Sequence, residues 1–222
     1  MLRDDNFANL PEILANESFP HADGLVLDLG FSSEQLENSG RGFSFLKDEP
    51  LIMTYSDERP PVKEILKSIN ETELAVSIKE FGEALYAQRI AHAIKRQRQA
   101  IQTTQELVRA VQSAVPRNYE RGRIHPATRT FQALRIYANG ELGNLERLIK
   151  NIPALLRVGG RVVIISFHSL EDRLVKNYFR NYAKAGILKI LTKKPIVALP
   201  EEIDLNPRAK SAKLRAATVL KT

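Results

Sequence analysis

Gly24-Leu25-Val26-Leu27-Asp28-Leu29-Gly30 is the stretch that decides the fold. It is a short apolar run that ends on an aspartate and a glycine. Such a run, without polar alternation, predicts a buried strand of a parallel sheet with a loop at its carboxyl end. Arg161-Val162-Val163-Ile164-Ile165-Ser166-Phe167 predicts a second strand of the same kind. Gly159 and Gly160 stand just before it. They mark a turn out of a helix and need no phosphate-binding role.

About 130 residues separate the two strands, far more than one crossover helix requires. Most of that segment has helical periodicity. Leu74, Ile78, Phe81 and Leu85 recur at helical spacing, and Ile90 and Ile94 follow. Thr103 with Glu106 fits a capping box, Leu107, Val111 and Val115 give that helix its stripe, and Pro116 closes it. Residues 60–119 are therefore expected to form an inserted helical subdomain. Pro126 fits the first turn of one long helix with Phe131, Leu134, Ala138, Leu142, Leu145 and Ile149 on one face, which should pack on the sheet. Ser169 with Asp172 fits the cap of a further helix carrying Leu170, Leu174, Tyr178 and Tyr182. Leu188–Thr192 and Leu214–Leu220 read as closing strands, with Pro195–Ser211 a loop between them. The fold class is α/β, with residues 1–59 and 120–222 as the core and 60–119 inserted.

The composition suits a globular domain. The 222 residues are 43% hydrophobic and 27% charged. No cysteine is present, which excludes disulfides and thiolate metal sites. His21, His92, His125 and His168 lack ligand spacing, so no structural metal is expected. No apolar run has the length of a membrane span and the first residues, MLRDDNFANL, are no signal peptide, so no membrane partner is expected and the cytoplasm is the expected location. The net charge of +7 is unevenly spread. Residues 1–60 hold four Lys/Arg against twelve Asp/Glu, residues 89–123 eight against two, and residues 173–222 twelve against three. Two basic stretches behind an acidic front fit either a polyanion such as nucleic acid or plain solvated helix surface, and charge alone does not choose.

Four segments, in order, resemble the bacterial 16S ribosomal RNA cytosine-N4 methyltransferases. They are Leu27-Asp28-Leu29-Gly30-Phe31-Ser32-Ser33-Glu34-Gln35-Leu36 running on to Arg41-Gly42-Phe43-Ser44-Phe45; the stretch from His125-Pro126-Ala127-Thr128-Arg129 to Ile136; Ile165-Ser166-Phe167-His168-Ser169-Leu170-Glu171-Asp172-Arg173; and Asn206-Pro207-Arg208-Ala209-Lys210-Ser211. Together they span essentially the whole chain. The resemblance implies a Rossmann-like class I methyltransferase sheet with a helical insertion. It also implies S-adenosylmethionine as cofactor and methylation of the exocyclic N4 of a cytosine in the decoding region. The implied partner is 16S ribosomal RNA or the small ribosomal subunit.

Two departures accompany it. Members of that family carry a glycine-rich cofactor loop after their first strand and a ribose-binding acid ending their second. Here 23 residues precede Gly24, the first glycine, so the sheet is expected to be partial, with the first strands and the glycine loop missing. Where the family usually reads Pro-Leu-Asp-Met-Arg-Met-Asp, this chain has Pro50-Leu51-Ile52-Met53-Thr54-Tyr55-Ser56-Asp57, which puts a substrate-gripping role for that loop in question.

Cytosine N4 is a poor nucleophile because its lone pair is delocalised into the ring, whereas a sulfonium methyl is already activated. Catalysis is then chiefly alignment plus an acceptor for the amine hydrogens. Asp28 is placed for this, because ligands of open α/β sheets bind at the carboxyl ends of strands. Ser32 and Ser33 add hydroxyls. The bland role for Asp28 is to cap its own loop. By resemblance, Phe7, Asp28 and Gln35 match cofactor-contacting positions; otherwise Phe7 is a core aromatic and Gln35 a solvent-facing amide. His125, Thr128 and Arg129 open a helix N-terminus, where an RNA phosphate or a simple capping cluster fits equally. His168 and Ser169 would line the pocket for a flipped base, or Ser169 caps a helix, or both. Without the cofactor loop this chain is expected to bind S-adenosylmethionine weakly. The alternatives to an enzyme are a catalytically dead RNA-binding remnant and one half of a split methyltransferase. An exposed edge at the Asp28 strand would call for a homodimer or a complementing N-terminal chain.

Overall fold

The structure is a computed structural model that describes residues 2–19, 21–30, 39–122 and 124–221. In chain order the helices are α1 (Leu10–Asn16), α2 (Val62–Ser68), α3 (Glu71–Gly82), α4 (Ala87–Gln97), α5 (Thr104–Ala114), α6 (Thr128–Asn139), α7 (Glu141–Leu155), α8 (Ser169–Lys184) and α9 (Pro200–Leu205). The strands are β1 (Ala22–Asp28), β2 (Leu156–Ser166), β3 (Leu188–Ile190), β4 (Ile196–Val197) and β5 (Lys213–Val219). Short 3-10 turns cover Phe7–Asn9, Tyr119–Gly122 and Pro207–Ser211. The chain separates into two compact units: Met1–Gly30 with Leu142–Thr222, and Phe31–Glu141.

The first unit holds a mixed sheet in the order β1-β2-β5-β3, with β4 also on β5. β1 runs parallel to β2, with Asp28 opposite Ile165. β5 runs antiparallel to β2, and β3 and β4 antiparallel to β5. The two apolar runs are therefore neighbours, and their carboxyl ends lie side by side. The register between them shifts between Ala22 and Gly24, and Gly159 and Gly160, expected as a turn before the strand, lie within β2 opposite that irregularity. The core forms between the sheet and two helices: Leu148 and Ile152 of α7, Val162 and Ile164 of β2, and Val175 and Phe179 of α8 are each at most 1% exposed. Full burial of such a side chain contributes about 2 kcal/mol, so this stripe outweighs any propensity difference along the helices.

Three expectations for this unit change. β1 is not buried on both faces: Val26 is 73% exposed and only Leu27 is buried. β1 also stands at the edge of the described sheet, where β2 is its only strand partner. On α8 the buried line is Glu171, Asp172, Val175 and Phe179, while Leu174, Tyr178 and Tyr182 flank it half-buried. The two stripes are adjacent on a helix of 3.6 residues per turn, so hydrophobicity alone did not separate them. The segment 195–211, expected as loop, contains β4, α9 and a 3-10 turn.

The second unit is helical. Leu74 and Ile78 of α3, Ile90 and Ile94 of α4, and Leu107 and Val111 of α5 are fully buried, as their spacing predicts, whereas Phe81 is half-buried and Leu85, expected on the same stripe, lies beyond the end of α3 and is 81% exposed. This unit is wider than residues 60–119, because the segment before it and α6 share its core: Leu51, Met53, Phe131 and Leu134 all belong to it. The expected single helix from Pro126 is two helices. α6 ends at Gly140, whose φ of 62° is a left-handed conformation that glycine adopts without strain. Phe131 and Leu134 therefore pack on the helical unit, not on the sheet, while Leu145 and Ile149 of α7 pack in the sheet unit. Residues 51–55 are held firmly: Asn139, 4% exposed, donates to Met53 O at 2.8 Å and accepts from Tyr55 N at 2.9 Å. Arg41 Nε donates to Thr54 O at 2.8 Å. That loop is part of the unit's frame.

α3 and α6 touch backbone to backbone. A Cβ at Gly82 would lie 2.4 Å from Arg129 O. Since neither partner is a flexible side-chain tip, Gly82→Ala is expected to force the helices apart and cost about 1–3 kcal/mol. Urea unfolding checks this, and an unchanged midpoint would show that the crossing relaxes freely. Lys95 shows a different economy: its ammonium donates to Leu66 O at 2.8 Å, to Lys67 O at 3.3 Å and to Ile69 O. Burial, then the neighbouring Arg98, pull its pKa below that of an ordinary lysine. Lys95 thus serves the end of α2.

Candidate functional site

Asp28 is the last residue of β1, and its side chain is exposed at the carboxyl end of the parallel pair. Oδ1 accepts the Gly30 N–H at 2.9 Å. The expected loop-capping role is therefore real, and it fixes one carboxylate oxygen. Leu29 N donates to Ile165 O at 3.0 Å, carrying the ladder one residue past Asp28. The Phe167 ring fills the space a side chain at Gly30 would need, 2.8 Å from the position of a Cβ. The turn after β1 and the turn after β2 are packed together at this end of the sheet.

The second of those turns is organised by Glu171. Its Oε2 accepts from Phe167 N at 2.8 Å and from His168 N at 3.2 Å. His168 is the N-cap of α8, and its Nδ1 accepts from Glu171 N at 3.4 Å. The cap therefore falls one residue before Ser169, which is the first helical residue, because imidazole and glutamate satisfy each other's backbone donors across the first turn. His168 Nε2 lies 3.0 Å from Glu171 Oε1, yet the angle makes no hydrogen bond and the atom is buried. Glu171→Ala is expected to cost about 1–2 kcal/mol by releasing these donors. Thermal unfolding of the variant measures it, and an unshifted Tm would show that another group takes the two N–H groups.

The remaining candidates divide between the units. Phe7 opens the first 3-10 turn, half-buried against the sheet unit's core. Ser32, Ser33 and Gln35 lie outside the described residues. His125, Thr128 and Arg129 belong to the helical unit. His125 stacks on Phe45 with ring centroids 4.7 Å apart, and its Nδ1 accepts from Ala127 N at 3.2 Å. Thr128 is the first residue of α6, and its N–H donates to His125 O at 3.0 Å. Arg129 Nε pairs with Glu120 Oε1 at 2.7 Å, and Nη1 donates to Gly82 O at 3.2 Å. The guanidinium is thus engaged within its own unit.

Two carboxylates of this region take roles that the sequence did not assign to them. Glu171 stood in the quoted His168-Ser169-Leu170-Glu171 segment, and a cap three residues before a glutamate was the signal available. Asp172 receives Arg215 bidentately at 2.7 and 3.2 Å, with both residues buried. Nothing in the sequence announces that pair, which joins α8 to β5.

The mixed α/β sheet, with β1 parallel and β5 antiparallel to β2, is consistent with a class I methyltransferase fold. Residues 1–220 match the MraW methylase family. The chain is 48% identical to "Ribosomal RNA small subunit methyltransferase H" of Geobacter sulfurreducens, over 97% of this chain and 75% of that protein. Its namesake in Koribacter versatilis is also 48% identical, over 96% and 67%. That of Acidobacterium capsulatum is 52% identical, over 88% and 65%. The chain belongs to the MraW methylase family, and it spans between 65% and 75% of the length of these relatives.

Proposed function

We propose that this chain takes part in S-adenosylmethionine-dependent methylation of small-subunit ribosomal RNA, at the exocyclic N4 of a cytosine in the decoding region. The observation that carries the reading is the Asp28 carboxylate, exposed at the carboxyl end of β1 beside the turn that follows β2, in a chain matched to a methylase family from end to end. The naming of its relatives as ribosomal RNA methyltransferases supports the substrate class. A cytoplasmic site of action is part of the same proposal. Among the described residues no helix is long and apolar enough to cross a membrane.

In this proposal two residues of the sheet unit suit a sulfonium cofactor. Asp28 offers an exposed anion, and Phe7 offers a half-buried aromatic face in the same unit. When bound, S-adenosylmethionine supplies an activated methyl group. Asp28 accepts a hydrogen of the N4 amine and raises the density on nitrogen. Its hydrogen bond from Gly30 N holds the carboxylate in one orientation before substrate arrives. In this proposal His168 and Ser169 border the space for the base, and Ser32, Ser33 and Gln35 carry the roles that family resemblance gives them. His125, Thr128 and Arg129 are the proposed contacts of the helical unit with RNA.

Incubation with tritiated S-adenosylmethionine and small ribosomal subunits tests this. Tritium in the RNA is the expected result. RNA retained by the chain without tritium would favour a binding role over an enzymatic one.

A further inference from the structure

A second feature of the sheet unit lies away from Asp28. A cleft of about 430 Å³ opens between α8 and the segment that follows β3. Lys176 and Arg180, one turn apart on α8, form one wall, and Lys193 and Lys194 form the other. Phe179 and Arg215 lie behind them, both buried. Arg215 is neutralised by Asp172, so the four outer cations remain, and no carboxylate lines the cleft.

The lysine wall has a rigid base. Leu191 N donates to Ala216 O at 2.9 Å, and Thr192 Oγ1 accepts from Ala216 N at 2.9 Å. Pro195 follows the lysine pair directly and limits its backbone freedom. Arg180, Lys193 and Lys194 are exposed, Lys176 is half-buried, and among the described residues none of the four has an ion-pair partner. Like charges gathered around one opening repel, and an anion seated among them relieves that cost.

We propose that this cleft holds backbone phosphates of the RNA substrate, as an anchoring site separate from the carboxyl end of β1. The inference rests on the reading of the chain as a ribosomal RNA methyltransferase. The chemistry favours backbone over base: the aromatic in the cleft, Phe179, is 1% exposed and offers no face for stacking. Flexible cations on an open groove give sequence-independent, salt-dependent affinity. The placement suits an extended ligand. The sheet order puts three inter-strand steps between β1 and β3, about 14 Å at the usual spacing. A strand with one nucleotide at Asp28 would lay neighbouring phosphates toward this edge.

The test is fluorescence anisotropy of a labelled 16S ribosomal RNA fragment with the full chain, between about 50 and 200 mM salt. The Lys193→Ala/Lys194→Ala double variant is expected to bind roughly tenfold more weakly at the upper salt. Its slope of log affinity against log salt should fall in magnitude by about 1–2, as loss of two phosphate contacts predicts. The Lys176→Ala/Arg180→Ala variant should reproduce both changes. Lys189→Ala, an exposed lysine of β3 outside the cleft, should alter the slope less than either. Wild-type affinity and slope in both double variants would overturn the proposal while leaving the methyltransferase reading intact. A wild-type chain that binds no RNA would overturn both.

Discussion

Replacing Asp172 by alanine is expected to remove about 3–5 kcal/mol of stability, the largest loss we expect from one substitution in this chain. Asp172 is 9% exposed and Arg215 is 8% exposed, and two hydrogen bonds join them. Arg215 lies on β5 opposite Ile164 of β2, and its side chain is only 9% exposed, at the back of the basic cleft. Asp172 also sits in the first turn of α8, where the helix dipole favours a negative charge. Deleting the acid leaves a buried cation without its partner. Lys213, whose Nζ is 3.9 Å from Asp172, loses a weaker contact. The loss should be largely recovered in Asp172→Leu/Arg215→Met, because a buried pair replaced whole by apolar groups is often neutral. Urea unfolding of the three proteins decides the point. An Asp172→Ala chain within about 1 kcal/mol of wild type would mean that water reaches Arg215.

Asp28→Asn is expected to leave the fold intact and to slow methyl transfer by about 100-fold or more. Asparagine keeps an oxygen to accept the Gly30 N–H, so the turn after β1 should survive. What it loses is the anion that, in the proposed mechanism, accepts the amine hydrogen. The separation between stability and rate is the useful part of the result. Unfolding curves should superimpose while the rate collapses. An asparagine variant as active as wild type would move the proton acceptor to another residue.

The parts of this molecule that were legible in the sequence are those where one physical signal acts alone. The two apolar runs announced two strands and the later runs closed the same sheet, but that the first two are neighbours, and that Val26 stays exposed, came only from the structure. Leu74, Ile78, Ile90 and Ile94 stated their helices by spacing. Asp28 stood out because an acid that closes an apolar run marks the carboxyl end of its strand, where sheets of this kind bind ligands. Where two signals compete, the sequence did not separate them. The periodicity of 126–149 ran straight through Gly140, since one glycine lowers helix propensity by only about 1 kcal/mol yet also permits the left-handed turn that splits the pattern.

The basic residues were the hardest to assign. Lys95 and Arg215 stood in stretches whose charge suggested RNA, and Arg129 stood at a helix start that would suit an RNA phosphate. In the structure Lys95 binds the carbonyls ending α2, Arg129 binds Glu120 and Gly82 O, and Arg215 binds Asp172. The acids that hold the two arginines are 9 and 43 residues away in sequence, so only the fold reveals them. Lys193 and Lys194 are among the cations that have no such internal partner among the described residues. At the turn after β2, the cap went to His168 and not Ser169. Serine is the stronger intrinsic cap, but Glu171 is three residues from His168 and completes the reciprocal pair there.

The most direct test of the central claim is chemical. Small ribosomal subunits are incubated with the chain and S-adenosylmethionine, the RNA is digested to nucleosides, and these are separated by liquid chromatography with mass spectrometry. The account predicts N4-methylcytidine that appears with wild-type chain and is absent with Asp28→Asn. Methyl groups on any other atom, or N4-methylcytidine formed equally by both proteins, would contradict it.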